Sequence, residues 1–200
     1  MSINMKQLDT TNKIDRILQA AFDCVKQYGF KRTSMADIAL AAGMSRSALY
    51  ILFKDKIDIF RSMAEKIHGQ TLNDAKNQLA KDLPLQTRIA NATTARMTPL
   101  YALVYDSAHG TEIFDISQSI SADINAQADD RFLRMLTDAL QSGLKSGGIS
   151  GGPDNLAARE LAQLFIASAR GLKYFAFSAK DYETLLTKSV ATFFTGLSPK

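Results

Sequence analysis

Two hundred residues, 46% hydrophobic and 22% charged, make room for one large domain or two small ones and exclude a disordered chain. No run approaches the ~18 uncharged apolar residues of a membrane span. The polar start MSINMKQLDTTNK has no signal-like apolar core, so the expectation is a cytoplasmic protein with no membrane partner. A single cysteine, Cys24, excludes an intramolecular disulfide, and two histidines, His68 and His109, leave little for a zinc centre. No metal and no cofactor are expected. The net charge of +4 is uneven: residues 1–60 hold 9 Lys/Arg against 6 Asp/Glu, and the remainder 15 against 14. The surplus near the N-terminus points weakly to a polyanionic partner.

Apolar residues recur at helical spacing almost everywhere, with glycine and proline marking the breaks. A first helix runs from about Asn12 to Tyr28, with Ile14, Ile17, Leu18, Ala21, Val25 and Tyr28 on one stripe. Thr11 or Asn12 can cap it, and Gly29 stands where a left-handed residue would end it. Met35–Ala42 forms a second, short helix, opened by the capping-box pair Ser34 and Asp37 and broken by Gly43. Ser45 caps a third over Arg46–Phe53, with Leu49, Leu52 and Phe53 inward. Asp55 opens a long fourth helix from Lys56 to about Leu79, with Ile57, Phe60, Met63, Ala64, Ile67, Ala75 and Leu79 along one side.

Pro84 opens another helix, which Pro99 divides or kinks. Thr111 to Leu144 reads as one long helix or two. Ser146–Gly152, SGGISGG, is the clearest linker, and Pro153 suits the first turn of a helix over Asp154–Ser178. A last helix covers Tyr182–Leu197. No strand pattern and no internal repeat is evident; the chain is all-α, with about nine helices.

The second and third helices, joined through Ala42-Gly43-Met44-Ser45, make a helix-turn-helix. In the third helix Leu49, Leu52 and Phe53 anchor one face while Arg46, Ser47 and Tyr50 occupy the other. A short helix with these residues outward can enter a DNA major groove, where Arg bonds guanine and hydroxyls reach phosphates. Lys31 and Arg32 before the motif, and Lys54 and Lys56 after it, are placed for backbone phosphates. The competing reading is a helical interaction protein whose helix-turn-helix serves only for packing. An enzyme is disfavoured: there is no Gly-rich phosphate loop, no HExxH and no carboxylate cluster with ligand spacing.

Ile17-Leu18, Ala20-Ala21-Phe22, Tyr28-Gly29-Phe30, Thr33-Ser34-Met35, Asp37-Ile38-Ala39, Ala42-Gly43-Met44-Ser45, Leu49-Tyr50, Phe53, Lys56 and Phe60 resemble the N-terminal signature of TetR-type transcriptional regulators, in register over about residues 12–62. The resemblance implies a helix-turn-helix DNA-binding domain over residues 1–55 and a larger ligand-binding and dimerisation domain over 56–200. It also implies a homodimeric, ligand-responsive repressor on a double-stranded operator. By position Ser45, Arg46, Ser47 and Tyr50 fall on the recognition helix, Lys56 at the start of the fourth helix, and Ser34 at a backbone-contacting position. The chain departs from the family pattern at Ser47-Ala48 and at Ile51-Leu52, which cannot hydrogen-bond a phosphate; Lys54 or Arg46 would then supply more of the affinity.

For the effector, the resemblance implies a site among the middle helices, often under the fourth. Met97, Leu100, Tyr101, Val104 and Tyr105, with His109 and Phe114 nearby and Tyr174 closing, would give an apolar cavity with a few polar handles. The same stripe also reads as plain core with its hydroxyls satisfied by carbonyls. The last two helices carry Leu161, Leu164, Phe165, Ala167, Ser168, Gly171, Leu172, Leu185, Leu186, Val190, Phe193 and Phe194. They are expected to form a two-fold four-helix interface, or else to pack on the chain's own middle helices.

Overall fold

The computed structural model describes residues 12–105 and 108–199. Thr11 and nearly all of the polar N-terminal stretch lie outside the described residues, as does the side chain of Val104. Among the described residues every regular element is helical. In chain order these are α1 (Lys13–Tyr28), α2 (Met35–Ala41), α3 (Arg46–Tyr50), α4 (Lys56–Leu79), α5 (Leu85–Tyr105), α6 (Gly110–Ile120), α7 (Ala122–Lys145), α8 (Ala158–Gly171) and α9 (Ala179–Thr195). A 3-10 turn at Leu172–Tyr174 follows α8.

The chain divides into two compact units that do not follow a linear cut at residue 55. One holds the described residues up to Gly69 with Ala102–Ala126; the other holds Gln70–Tyr101 with Gln127–Lys200. The unit boundaries fall inside α4, α5 and α7.

In the N-terminal unit, α1 buries Ile17, Leu18, Ala21 and Val25, while Tyr28, at the stripe's end, is half-exposed. Asn12 caps α1 through its side chain. Cys24 is buried with this core, and that burial raises its thiol pKa, with Asp37 and Asp23 adding to the effect. In α4, Ile59, Met63 and Ile67 are buried, but Ile57, expected on the same side, is 45% exposed in the first turn. The ammonium of Lys66 meets the buried carboxylate of Asp15, tying α4 to α1. Arg61 grips Asp123 at the start of α7 through both terminal nitrogens, at 2.8 and 2.7 Å, and donates to the Ile120 carbonyl.

In the C-terminal unit the core joins Ile89, Ala92 and Tyr101 of α5 and Phe132, Leu136 and Leu140 of α7. It also takes Leu161, Phe165 and Ala169 of α8 and Leu186, Val190 and Phe194 of α9. Pro99 lies inside α5 without dividing it; proline has no N–H, so the Ala95 carbonyl lacks its usual donor. The segment after α5 is two helices separated at Ser121. Pro153 does not open α8: residues 153–157 turn first, and the helix begins at Ala158, where Glu160 accepts the Ala157 N–H at 2.9 Å. The glycine-rich stretch before it is seated by Ile149, 7% exposed, and by the Ser150 N–H donating to the Leu197 carbonyl.

Candidate nucleic-acid interface

Short helices need strong ends. Ser34 opens α2 with a reciprocal box: its hydroxyl oxygen accepts the Asp37 N–H at 3.2 Å, and Asp37 accepts the Ser34 N–H at 2.8 Å. The Ser34 hydroxyl also donates to Asp37, and these bonds hold the Asp37 carboxyl below its usual range. Gly43 takes φ +66° in the turn, a conformation that suits glycine, and nothing would meet an added Cβ there. Ser45 then caps α3 by accepting the Ala48 N–H at 3.2 Å.

Because α3 ends at Tyr50, its inward anchor is narrower than the sequence suggests. Leu49 is 0% and Phe53 5% exposed, but Leu52, expected inward, is 37% exposed in the turn after the helix. Arg46, Ser47 and Tyr50 face solvent. Arg46 lies 5.4 Å from the centre of the Tyr50 ring with an Nη2-to-hydroxyl distance of 3.4 Å, and the Ser45 and Ser47 hydroxyls are 3.0 Å apart. Lys31, Arg32, Ser34, Ser45 and Lys54 are likewise exposed. Leu40 and Ile51, each 82% exposed, are bare apolar residues on the same two-helix segment.

Lys56 is different. It is half-buried, and its ammonium donates to the carbonyls of Phe30 and Thr33 and sits 4.2 Å from the Phe30 ring centre. Burial lowers its pKa, opposed by Glu112 and Asp37. In this geometry Lys56 braces the loop between α1 and α2 instead of projecting toward a phosphate.

That loop is held from α6 as well. Glu112 accepts the Lys31 N–H at 3.0 Å, and its other oxygen lies 3.8 Å from His109 Nδ1. Gly29 is favoured here by its φ of +82°, and a Cβ would come within 2.5 Å of the Glu112 carboxylate, which would have to move. Sequence spacing did not reveal this contact, since 81 residues separate its partners.

The expected effector residues fall in two groups. Met97, Leu100, Tyr101 and Tyr174 belong to the C-terminal unit; Val104, Tyr105, His109 and Phe114 to the other. Tyr101 is buried, donates its hydroxyl to the Ala176 carbonyl at 2.8 Å, and stacks on Tyr182 at 4.8 Å. Met97 and Leu100 are partly buried, Tyr105 is 48% and Phe114 40% exposed. Tyr174 does not close the core: it is 78% exposed, beyond the end of α8. The sequence reading passed over Arg96, Thr71 and Asp129. Arg96 had a visible signal, being the sole charged residue between Ile89 and Tyr105.

Comparison with known proteins agrees with this geometry. Residues 17–63 match the family model described as bacterial regulatory proteins, tetR family. The HTH-type transcriptional regulator YvdT of Bacillus subtilis is 32% identical over 73 residues, 36% of this chain and 38% of that protein, so this match spans well under half of the relative. The fatty acid degradation regulator FadR from Bacillus halodurans superposes with TM-score 0.69 at 17% identity, over 94% of this chain and 97% of that one. FadR from Bacillus subtilis, determined in complex with stearoyl-CoA, gives 0.67 at 19% identity, over 90% and 97%. At such identities the superpositions show a shared all-helical fold.

Proposed function

We propose that the chain, whose residues 17–63 match the tetR family of bacterial regulatory proteins, is a ligand-responsive repressor that binds a palindromic operator as a homodimer. The observation that carries the reading is the division of α3: Leu49 fully buried, Arg46, Ser47 and Tyr50 exposed. An anchored helix with a free polar face can enter a major groove, and a symmetric pair would meet grooves about 34–36 Å apart. The exposed side chains of Lys31, Arg32 and Lys54 would reach the backbone, Ser34 and Ser45 would meet it beside the helix starts they cap, and Lys56 orders the loop that carries Lys31 and Arg32.

The dimer would form on α8 and α9. The structure separates two faces that sequence alone merges. Leu161, Phe165, Leu186, Val190 and Phe194 pack in the chain's own core. Leu164, 54% exposed, with exposed Ala167 and Ser168 and half-buried Gly171, makes a second stripe at helical spacing that a symmetry mate can cover. The effector would be a small, largely apolar molecule held in the C-terminal unit beside Met97 and Leu100. The Bacillus subtilis neighbour, determined with stearoyl-CoA, supports an apolar chain as part of that chemistry. Release requires the effector to prefer a packing that does not fit DNA.

The test is fluorescence anisotropy with duplex DNA from upstream of the chain's own gene, at about 100 mM salt and across a salt series. Arg46→Ala and Tyr50→Ala should each weaken binding by roughly 1–3 kcal/mol. Unchanged affinity in both variants would leave the motif as packing only.

A further inference from the structure

Helix α5 carries the Arg96 guanidinium into the interior of the C-terminal unit, where the residue is 2% exposed. Its Nη1 donates to the Thr71 hydroxyl at 3.1 Å, and its Nη2 reaches Asp129 Oδ1 only at 3.4 Å, long for a charge-assisted bond. The same Oδ1 is 2.7 Å from Arg170 Nη2. Two guanidinium groups thus share one carboxylate, and the cluster holds one uncompensated positive charge. Its members are not equally placed. Asp129 and Arg170 are 44% and 51% exposed, so water screens their pair, while Arg96 is sealed with the poorer contact.

Burial lowers the Arg96 pKa to about 10, with Asp129 opposing the shift and Arg170 adding to it. The group is still charged near neutral pH. A buried charge without a matched partner opposes folding, and apolar side chains of similar volume commonly replace such groups without loss. Packing alone therefore gives no reason for an arginine here. One turn from Arg96 lies Ala92, and one turn from Asp129 lies Phe132, both in the apolar core. An anion at the guanidinium would have apolar residues within one helical turn and two half-exposed charged side chains beside it.

We propose that Arg96, with the Thr71 hydroxyl and Arg170, is the receptor for a single carboxylate on an otherwise apolar effector, which displaces Asp129 from the buried guanidinium. The inference deepens the effector reading above and rests on it. Bound carboxylate brings the cluster to neutrality, two cations against two anions. It also frees Asp129 to pair with Arg170 alone.

Direct calorimetry on the full chain without DNA tests this with four probes: dodecanoate, methyl dodecanoate, 2-naphthoate and 2-naphthalenemethanol. A carboxylate should bind at least about tenfold more tightly than its uncharged counterpart, as expected for a hydrogen-bonded charge. Arg96→Met should abolish that preference and Arg96→Lys restore part of it, with folding followed by circular dichroism. Asp129→Asn removes the internal competitor and should tighten carboxylate binding, a gain that a damaged fold cannot mimic. No binding of either carboxylate, equal binding of acid and neutral probe, or a preference that survives in Arg96→Met overturns the inference. None of these outcomes bears on operator binding, which the anisotropy experiment decides separately.

Discussion

In the N-terminal unit the buried carboxylate of Asp15 is met directly by the Lys66 ammonium, whereas in the C-terminal unit buried Arg96 shares one carboxylate with Arg170. The first unit places other charges outside: Arg46, Lys31, Arg32 and Lys54 are all exposed on a segment whose short helices are fixed by caps. The second unit encloses polar groups: Arg96 is 2% exposed, and the Thr98 hydroxyl, 1% exposed, has no hydrogen-bond partner among the described residues. The contrast matches two kinds of recognition. A DNA-reading surface needs rigid support beneath exposed donors, because the ligand is large and arrives from solvent. The effector proposed above would be enclosed, so the polar groups that meet it would lie in the interior.

The largest expected effects test the seating of each unit. Phe132→Ala should cost ~3–5 kcal/mol and Leu49→Ala ~2–5 kcal/mol in urea denaturation, since both side chains are almost wholly buried. Losses below ~1 kcal/mol at either position would mean that α7 or α3 is not anchored as described. Next come the two buried charges, for which opposite signs are expected. Asp15→Asn removes the partner of Lys66 and should destabilise by about 1–3 kcal/mol, reduced because Lys66 is 28% exposed. Arg96→Met should be neutral or stabilising by up to about 4 kcal/mol. Similar losses in both would erase the contrast between the units.

Smaller again is Ser34→Ala, which removes the α2 cap; a loss of ~1 kcal/mol is expected by thermal denaturation. The smallest effect is a titration. Arg61 holds the Asp123 carboxyl at a pKa of about 2, below the ordinary carboxylate value of 3.8. The contribution of the pair is present above that ordinary value and fades as pH falls through about 2. An NMR titration should show Asp123 protonating last among the exposed aspartates, and Arg61→Gln should move it back up.

Much of the N-terminal unit was legible because its determinants are local. Ser34 and Asp37 announce a cap at a spacing of three, Gly43 a turn, and Leu49 against Arg46 and Tyr50 a two-faced helix; each was found where expected. The misreadings come from contacts that spacing does not encode. Lys56 reads as a phosphate ligand, and its hydrogen bonds to the carbonyls of Phe30 and Thr33, more than twenty residues away, have no signal in the spacing. Leu52 reads as core because helical periodicity was continued two residues past the end of α3. Pro153 reads as a helix start, yet it lies within a turn over residues 152–155 and the helix begins only at Ala158, since a fixed φ suits a turn equally well.

The amino-acid order alone determined an all-helical chain, a helix-turn-helix near its start and the polar face of α3, because caps, breakers and a period of 3.6 act over a few residues. Tertiary structure decided which polar groups are exposed and which are enclosed. It put Glu112 against the loop before α2, exposed Tyr174, and gave Arg96 and Arg170 a single carboxylate to share. Burial and electrostatic pairing depend on residues brought together from distant parts of the chain, and neither can be read from one helix at a time.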